Sequence, residues 1–161
     1  DNGFVKMSIA RRHIMFDIGG YVLVSRLLEG EFLDYTTAIP NSVSTVLRAN
    51  TKEMIDVIER VSIIITEKTR SPIRFIVDDE RIKISVITAI SSASDKIDAS
   101  VSGKRIEIGF NNKFFLDALR SCDTDEVLIN LNGPISPAVI LPPEGNNFLY
   151  LILPVRIKND Q

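Results

Sequence analysis

The sequence predicts an α+β protein in which antiparallel sheets carry two helices packed on one side. Three observations predict it. Short apolar or alternating segments recur between clusters of turn-forming residues, the pattern of antiparallel strands. Two stretches, 51–65 and 111–120, carry the period of an amphipathic helix instead. From 43 to 156 the order is strand, helix, four strands, helix, three strands. It divides before Arg105 into two units of one plan, each a β-α-β-β-β repeat.

Residues 4–28 read as three strands. Val5–Ile9 alternates, Arg11-Arg12 turns the chain into His13–Ile18, and Gly19-Gly20 accepts the positive φ of a tight hairpin onto Tyr21–Leu28. Three strands with no covering helix make a poor core, so this stretch reads as the tail of a larger domain. It also echoes the last thirty residues: Val5–Ile9 is similar to Val127–Leu131, and Tyr21–Val24 to Tyr150–Leu153. Residues 29–40 (EGEFLDYTTAIP) form a linker rich in turn formers and aromatics.

Val43–Leu47 is the next strand. Asn50 with Glu53 three residues later is a capping-box pattern, and the helix it opens sets Met54, Ile58, Val61 and Ile65 on one stripe. Ile63 falls opposite that stripe, among Lys52, Asp56 and Glu59. It is either a lone exposed apolar side chain or, with Ile64 beside it, a subunit contact. Strands follow at 73–77, 81–88, 96–101 and 105–110, with Asp78-Asp79-Glu80 and Ser102-Gly103-Lys104 as hairpin turns. The three carboxylates read as a solvated turn, because a hairpin tip offers a metal ligands from one side only. Asn111 caps the second helix, which sends Phe115, Ala118 and Leu119 inward and Lys113, Asp117 and Arg120 outward, with Phe114 at the border.

Strands at 126–131, 136–141 and 148–156 end the pattern. The last (FLYLILPVR) is too short to cross a bilayer, which takes about 20 apolar residues, and too continuously apolar for a strand with one wet face. A strand apolar on both faces either has a layer on each side or leaves an apolar surface open for a partner. Pro154 lacks an N–H and belongs at a strand end or sheet edge. The expectation is one wall of a groove.

Composition narrows the function. At 161 residues, 45% hydrophobic and 25% charged, the chain has the make-up of one globular domain, or one and a part. It opens Asp1-Asn2-Gly3, so the start is expected to be a processed or excised end. No long apolar run predicts a membrane span, and the expected location is the cytoplasm. A single cysteine, Cys122, cannot form an internal disulfide, and with a single histidine, His13, it supplies neither a zinc cluster nor a Cys–His dyad. The net charge of −2 excludes a strongly electrostatic DNA binder, though not a protein that encircles DNA and is retained by topology. No nucleophile–base pair, phosphate-binding glycine loop or metal spacing is present, so no catalytic residue, cofactor or metal is predicted.

Three segments carry a resemblance. Leu28–Tyr35 (LEGEFLDY) is similar to the interdomain joint of the bacterial DNA polymerase III beta subunit, the sliding clamp family. Glu107–Asn111 (EIGFN) resembles the opening of that family's last helix, and Tyr150–Arg156 (YLILPVR) its terminal signature. The resemblance implies a DNA-clamp fold, with residues 1–35 as the end of the middle domain and 36–161 as the third domain. It implies a non-catalytic processivity factor for DNA replication. Two protomers of such a protein form a ring around duplex DNA, and the ring tethers DNA polymerase III, the clamp loader and other polymerases and repair proteins through short linear motifs.

Position by position, the resemblance places the peptide pocket at Leu33 and Ala38 of the joint, Asn111 and Phe114 of the helix, Ile135, and Leu151, Leu153, Pro154, Val155 and Arg156. Ile63 and Ile64 would meet the other protomer, and Lys52, Arg60, Lys113 and Arg120 would face DNA. Leu33 departs from the family's usual proline, and Phe114 from a tyrosine in some members. The alternative reading is a stand-alone β-rich peptide-binding or oligomerisation module with no DNA role.

Overall fold

A computed structural model describes residues 3–32, 34–66, 69, 71–78 and 80–157. The chain divides into two compact units, Asp1–Asp34 and Tyr35–Gln161. The first is a meander of β1 (Lys6–Ile9), β2 (His13–Ile18) and β3 (Tyr21–Arg26) in that order. Gly19 and Gly20, at φ 58° and 90°, make the β2–β3 turn that the sequence predicts. His13 is exposed, and every residue of β3 is exposed, Val22, Leu23 and Val24 included.

Among the described residues, the second unit holds one 3-10 turn (Tyr35–Ala38), ten strands and two helices. In chain order these are β4 (Thr45–Asn50), α1 (Thr51–Ser62), β5 (Ile73–Asp78), β6 (Arg81–Ile87), β7 (Ser92–Asp98) and β8 (Ser100–Gly103). Then come β9 (Ile106–Phe110), α2 (Asn112–Arg120), β10 (Glu126–Leu131), β11 (Ala138–Leu141), β12 (Tyr150–Ile152) and β13 (Pro154–Val155). The strands build two antiparallel sheets, β12-β11-β10-β4-β8 and β13-β9-β5-β6-β7.

The repeat is visible in that topology. Substituting β9 for β4, α2 for α1 and β10–β13 for β5–β8 turns the order of one sheet into the order of the other. Each repeat therefore gives its first and last strands to one sheet and its middle three to the other.

Two sequence expectations change as a result. The predicted strand 96–101 is two strands in different sheets: Ser92–Asp98 pairs with β6, and Ser100–Gly103 pairs with β4. Ser102-Gly103-Lys104 is accordingly a crossing between sheets rather than a hairpin turn, for β8 and β9 do not pair with each other. The predicted strand 148–156 divides in the same way at Leu153, with β12 on β11 and β13 on β9. Burial still alternates from Ile97 to Val101 and from Ile152 to Val155, so period two alone does not reveal a change of sheet.

Alternation is clean in β5 and β10 and partial in β6. Ile73, Phe75 and Val77 of β5, Ile82, Ile84 and Val86 of β6, and Val127, Ile129 and Leu131 of β10 are buried on the helix side, while their neighbours are more exposed. Three aromatic rings knit the repeats together. Phe110 of β9 and Phe115 of α2 lie 4.9 Å apart between centroids, and Phe75 of β5 lies 5.4 and 4.9 Å from them, with all three fully buried.

The side-chain oxygen of Asn50 caps α1 by accepting from Glu53 N at 2.9 Å. The helix ends at Ser62, short of the expected 65, where three β-branched isoleucines follow and the chain tightens. Ile63 N donates to Arg60 O at 3.4 Å and Ile65 N to Ser62 O at 2.9 Å. Met54, Ile58 and Val61 are buried as the stripe predicts, and Ile65 still packs on the core from beyond the helix. Of the acidic turn, Asp78 and Glu80 are exposed, and Asp79 lies outside the described residues.

Gly103 ends β8, where the chain passes from one sheet back to the other and on to β9. Its φ is +125°, and an added Cβ would run into the Ser44 carbonyl oxygen and lie 2.7 Å from Thr45 Cα. Gly145 has φ +77° in a loop with its nearest neighbour 4.0 Å away. Gly103→Ala should cost about 2–4 kcal/mol in urea unfolding, and Gly145→Ala only about 1 kcal/mol. Equal costs at the two positions would contradict this account of the crossing.

Candidate functional site

The terminal segment is built onto both sheets and one helix. Tyr150 Oη donates to Ser121 O, just past α2, at 3.1 Å, and its ring stacks on Phe148 at 5.3 Å. Ile152 is buried on the helix side. Beyond the break, Pro154 stands opposite Phe110 and Val155 opposite Gly109, at the edge of their sheet, where a missing N–H is tolerated. Gly109 permits that approach: a Cβ there would lie 2.7 Å from Val155 O and 2.9 Å from Ile157 Cγ1.

Between the two strands Leu153 is left 67% exposed, and Leu149 and Val155 are also open. Apolar residues on both faces of this run therefore mark an uncovered surface, the second of the two options that the sequence offers.

Three concavities border the run. The largest, about 440 Å³, is lined by Phe114, Asp117, Ala118, Ser121 and the backbone stretch 149–152. Phe114 stands beside it with its ring 62% exposed, on a helix started by Asn111, whose Oδ1 accepts from Lys113 N at 3.0 Å and Phe114 N at 3.3 Å. A second, about 360 Å³, is lined by Glu107, Pro134, Ile135, Arg156 and Ile157. A third, about 120 Å³, is almost wholly apolar, with Ile39, Pro40, Val43, Val139, Leu141 and Leu149 among its walls.

Of the expected pocket residues, Phe114 and Leu151 thus share one concavity, and Ile135 and Arg156 another. Leu153, Pro154 and Val155 lie on the stretch between them. Asn111 is at the helix start, and Ala38, half-buried, precedes Ile39 of the third concavity. Leu33 lies outside the described residues. Pro40, Val43 and Leu149 lie outside the pocket set that the resemblance implies. Leu149 still belongs to the two-sided apolar run that the sequence shows.

The remaining candidates lie elsewhere on the unit. Ile63 is 80% exposed at the end of α1, whereas Ile64 is half-buried and packs against the core. Lys52 and Lys113 are exposed. Arg60 and Arg120 each hold a carboxylate, Asp95 at 2.8 Å and Glu59 at 2.7 Å. The bond from Arg60, first, and then the Lys96 backbone N–H hold the Asp95 carboxyl below its usual range. Burial, with Asp123 adding to it, pushes the Cys122 thiol up to about 11. That thiol stays protonated at neutral pH, and its Sγ donates to Ala118 O at 3.4 Å, so it offers no nucleophile.

Residues 36–156 match the family model described as DNA polymerase III beta subunit, C-terminal domain. Among curated proteins, the beta sliding clamp of Staphylococcus aureus is 29% identical over 154 residues, which is 94% of this chain and 41% of that protein. The solved DNA polymerase sliding clamp of Bacillus subtilis superimposes with a TM-score of 0.86 at 30% identity, over 96% of this chain and 41% of that one. A sliding clamp (DNA polymerase III subunit beta) of Bartonella birtlesii, solved bound to griselimycin, gives 0.85 at 29% identity, over 95% and 41%. The chain thus spans about two-fifths of the length of these relatives.

The close approach at Gly109 is itself testable. Gly109→Ala should push β13 away from β9 and raise amide hydrogen exchange at Val155 and Ile157 by at least about tenfold, about 1.4 kcal/mol in local opening. Unchanged protection there would mean that the terminal strand does not depend on this glycine.

Proposed function

The chain belongs to the DNA polymerase III beta subunit family, and from that premise we propose that it is the carboxyl-terminal portion of a sliding clamp. Residues 1–35 are the end of the middle domain and 36–161 the third domain. The work is tethering without catalysis: a ring encloses duplex DNA and raises the local concentration of whatever is docked on it. Such a protein acts on DNA in the cytoplasm.

One observation carries the docking part of this reading. The chain's last strands leave Leu153 exposed on the stretch between two concavities, one of them walled by Phe114, an apolar surface bordered by a few polar groups. A groove of that kind suits a short extended peptide with leucine and phenylalanine side chains, its direction fixed by polar groups such as Arg156. Partners of this sort are DNA polymerase III, the clamp loader and other polymerases and repair proteins. The exposed Ile63, at the end of a helix that packs on the edge strand β7, suits a contact with a second protomer, to which Ile64 contributes from its half-buried position.

Leu153→Asp should weaken a leucine- and phenylalanine-bearing clamp-binding peptide by at least about tenfold in calorimetry, and Phe114→Ala by about three- to tenfold. Circular dichroism should stay unchanged, because both side chains are exposed. Unaltered affinity in both variants would remove this surface from the proposal.

For the ring, the full-length protein should stay on closed circular DNA and leave when the circle is cut. Loss at the same rate from both would favour a peptide-binding module with no DNA role. Polar substitution of Ile63 and Ile64 should shift full-length protein from dimer to monomer in sedimentation; a dimer that survives the change would place the interface elsewhere.

A further inference from the structure

The helices α1 and α2 carry Lys52, Arg60, Lys113 and Arg120 against Glu53, Asp56, Glu59 and Asp117, as many carboxylates as cations. Two of the cations are also bonded in place. Arg60 donates from Nε and Nη2 to one oxygen of Asp95, at 3.0 and 2.8 Å, and Asp95 comes from β7 rather than from a helix. Arg120 Nη2 donates across the helix pair to Glu59 Oε1 at 2.7 Å. These side chains are 37% to 56% exposed. Exposed pairs of this kind contribute little to a fold, so stability does not account for them. A surface built to grip phosphates would leave its arginines free, since each neutralised phosphate releases counterions and adds affinity. Here a phosphate that engaged Arg60 or Arg120 would have to displace a carboxylate, an exchange rather than a gain.

We infer that Glu59 and Asp95 are restraining residues, which occupy Arg120 and Arg60 so that the helix face meets duplex DNA with few phosphate contacts and moves along it freely. This rests on the reading that α1 and α2 face the DNA. The two carboxylates are positioning residues that act through the arginines and touch no ligand themselves.

The test is duplex-DNA binding by the chain, followed by fluorescence anisotropy from about 50 to 200 mM salt, the range over which phosphate contacts are lost. Glu59→Gln with Asp95→Asn should bind about tenfold tighter at the low end and steepen the log–log salt slope by about 1 to 2. The control, Asp98→Asn with Glu126→Gln, changes charge equally but frees Arg81 and Arg48 on the opposite faces of the sheets. A gain in the control equal to that in the test pair overturns the inference, as does a gain that survives Arg60→Ala with Arg120→Ala. The underlying reading has its own readout. Lys52→Ala with Lys113→Ala should weaken the residual binding of the unaltered chain, and if it does not, the helices do not face DNA.

Discussion

The strand exchange between repeats is the constraint on which the second unit depends. Neither repeat can complete a sheet alone, because β4 sits in a sheet made mainly of the later repeat, and β9 in one made mainly of the earlier. The hydrophobic gain follows the same rule. Phe75 belongs to one repeat and Phe110 and Phe115 to the other, yet their rings touch in a single buried cluster. Burying side chains of that size stabilises by roughly 1.5–3 kcal/mol each, and the contribution is realised only when both halves are in place. Two similar units thereby become one cooperative body rather than a tandem pair.

The same exchange produces the open surface. Where a strand passes to the second sheet, one residue stands in neither ladder. In the first repeat the residue at the crossing is Ala99, small and half-buried, with its N–H donated to Glu80 O at 3.1 Å. In the second it is Leu153, large and exposed. The backbone plan is common to both crossings, and the side chains decide that one is closed and the other is a surface with apolar area to offer a ligand.

Most of this was legible in the residues, for identifiable reasons. Both helices announce themselves through Asn50 and Asn111 at their starts, and periodicity places Met54, Ile58, Phe115 and Leu119 inside. The ladder strands β5 and β10 follow period two because one face is drier than the other. What periodicity could not show is a change of sheet within an apolar run. Lys96–Val101 keeps alternating and Phe148–Ile152 stays apolar up to the break, so each predicted strand looks continuous in sequence while the partner strand changes. For the site, Phe114 was visible at the border of its helix. The separation of Ile135 from Phe114 into different concavities, and the half-burial of Ile64 beside an exposed Ile63, depend on three-dimensional packing that spacing does not encode.

A protein that holds DNA by enclosing it has an electrostatic requirement opposite to that of one that holds DNA by contact. Contact binding improves with every phosphate neutralised, and it pays for this with immobility and steep salt dependence. Enclosure leaves retention to the closure of the ring, so affinity beyond what keeps the duplex centred only adds friction. A net charge of −2, helices on which carboxylates match cations, and arginines turned onto Asp95 and Glu59 are each awkward for the first kind of protein and suited to the second. On this reading the binding energy of the molecule is concentrated away from the DNA, at Leu153 and Phe114, where a partner is recruited by apolar contact that salt does not screen.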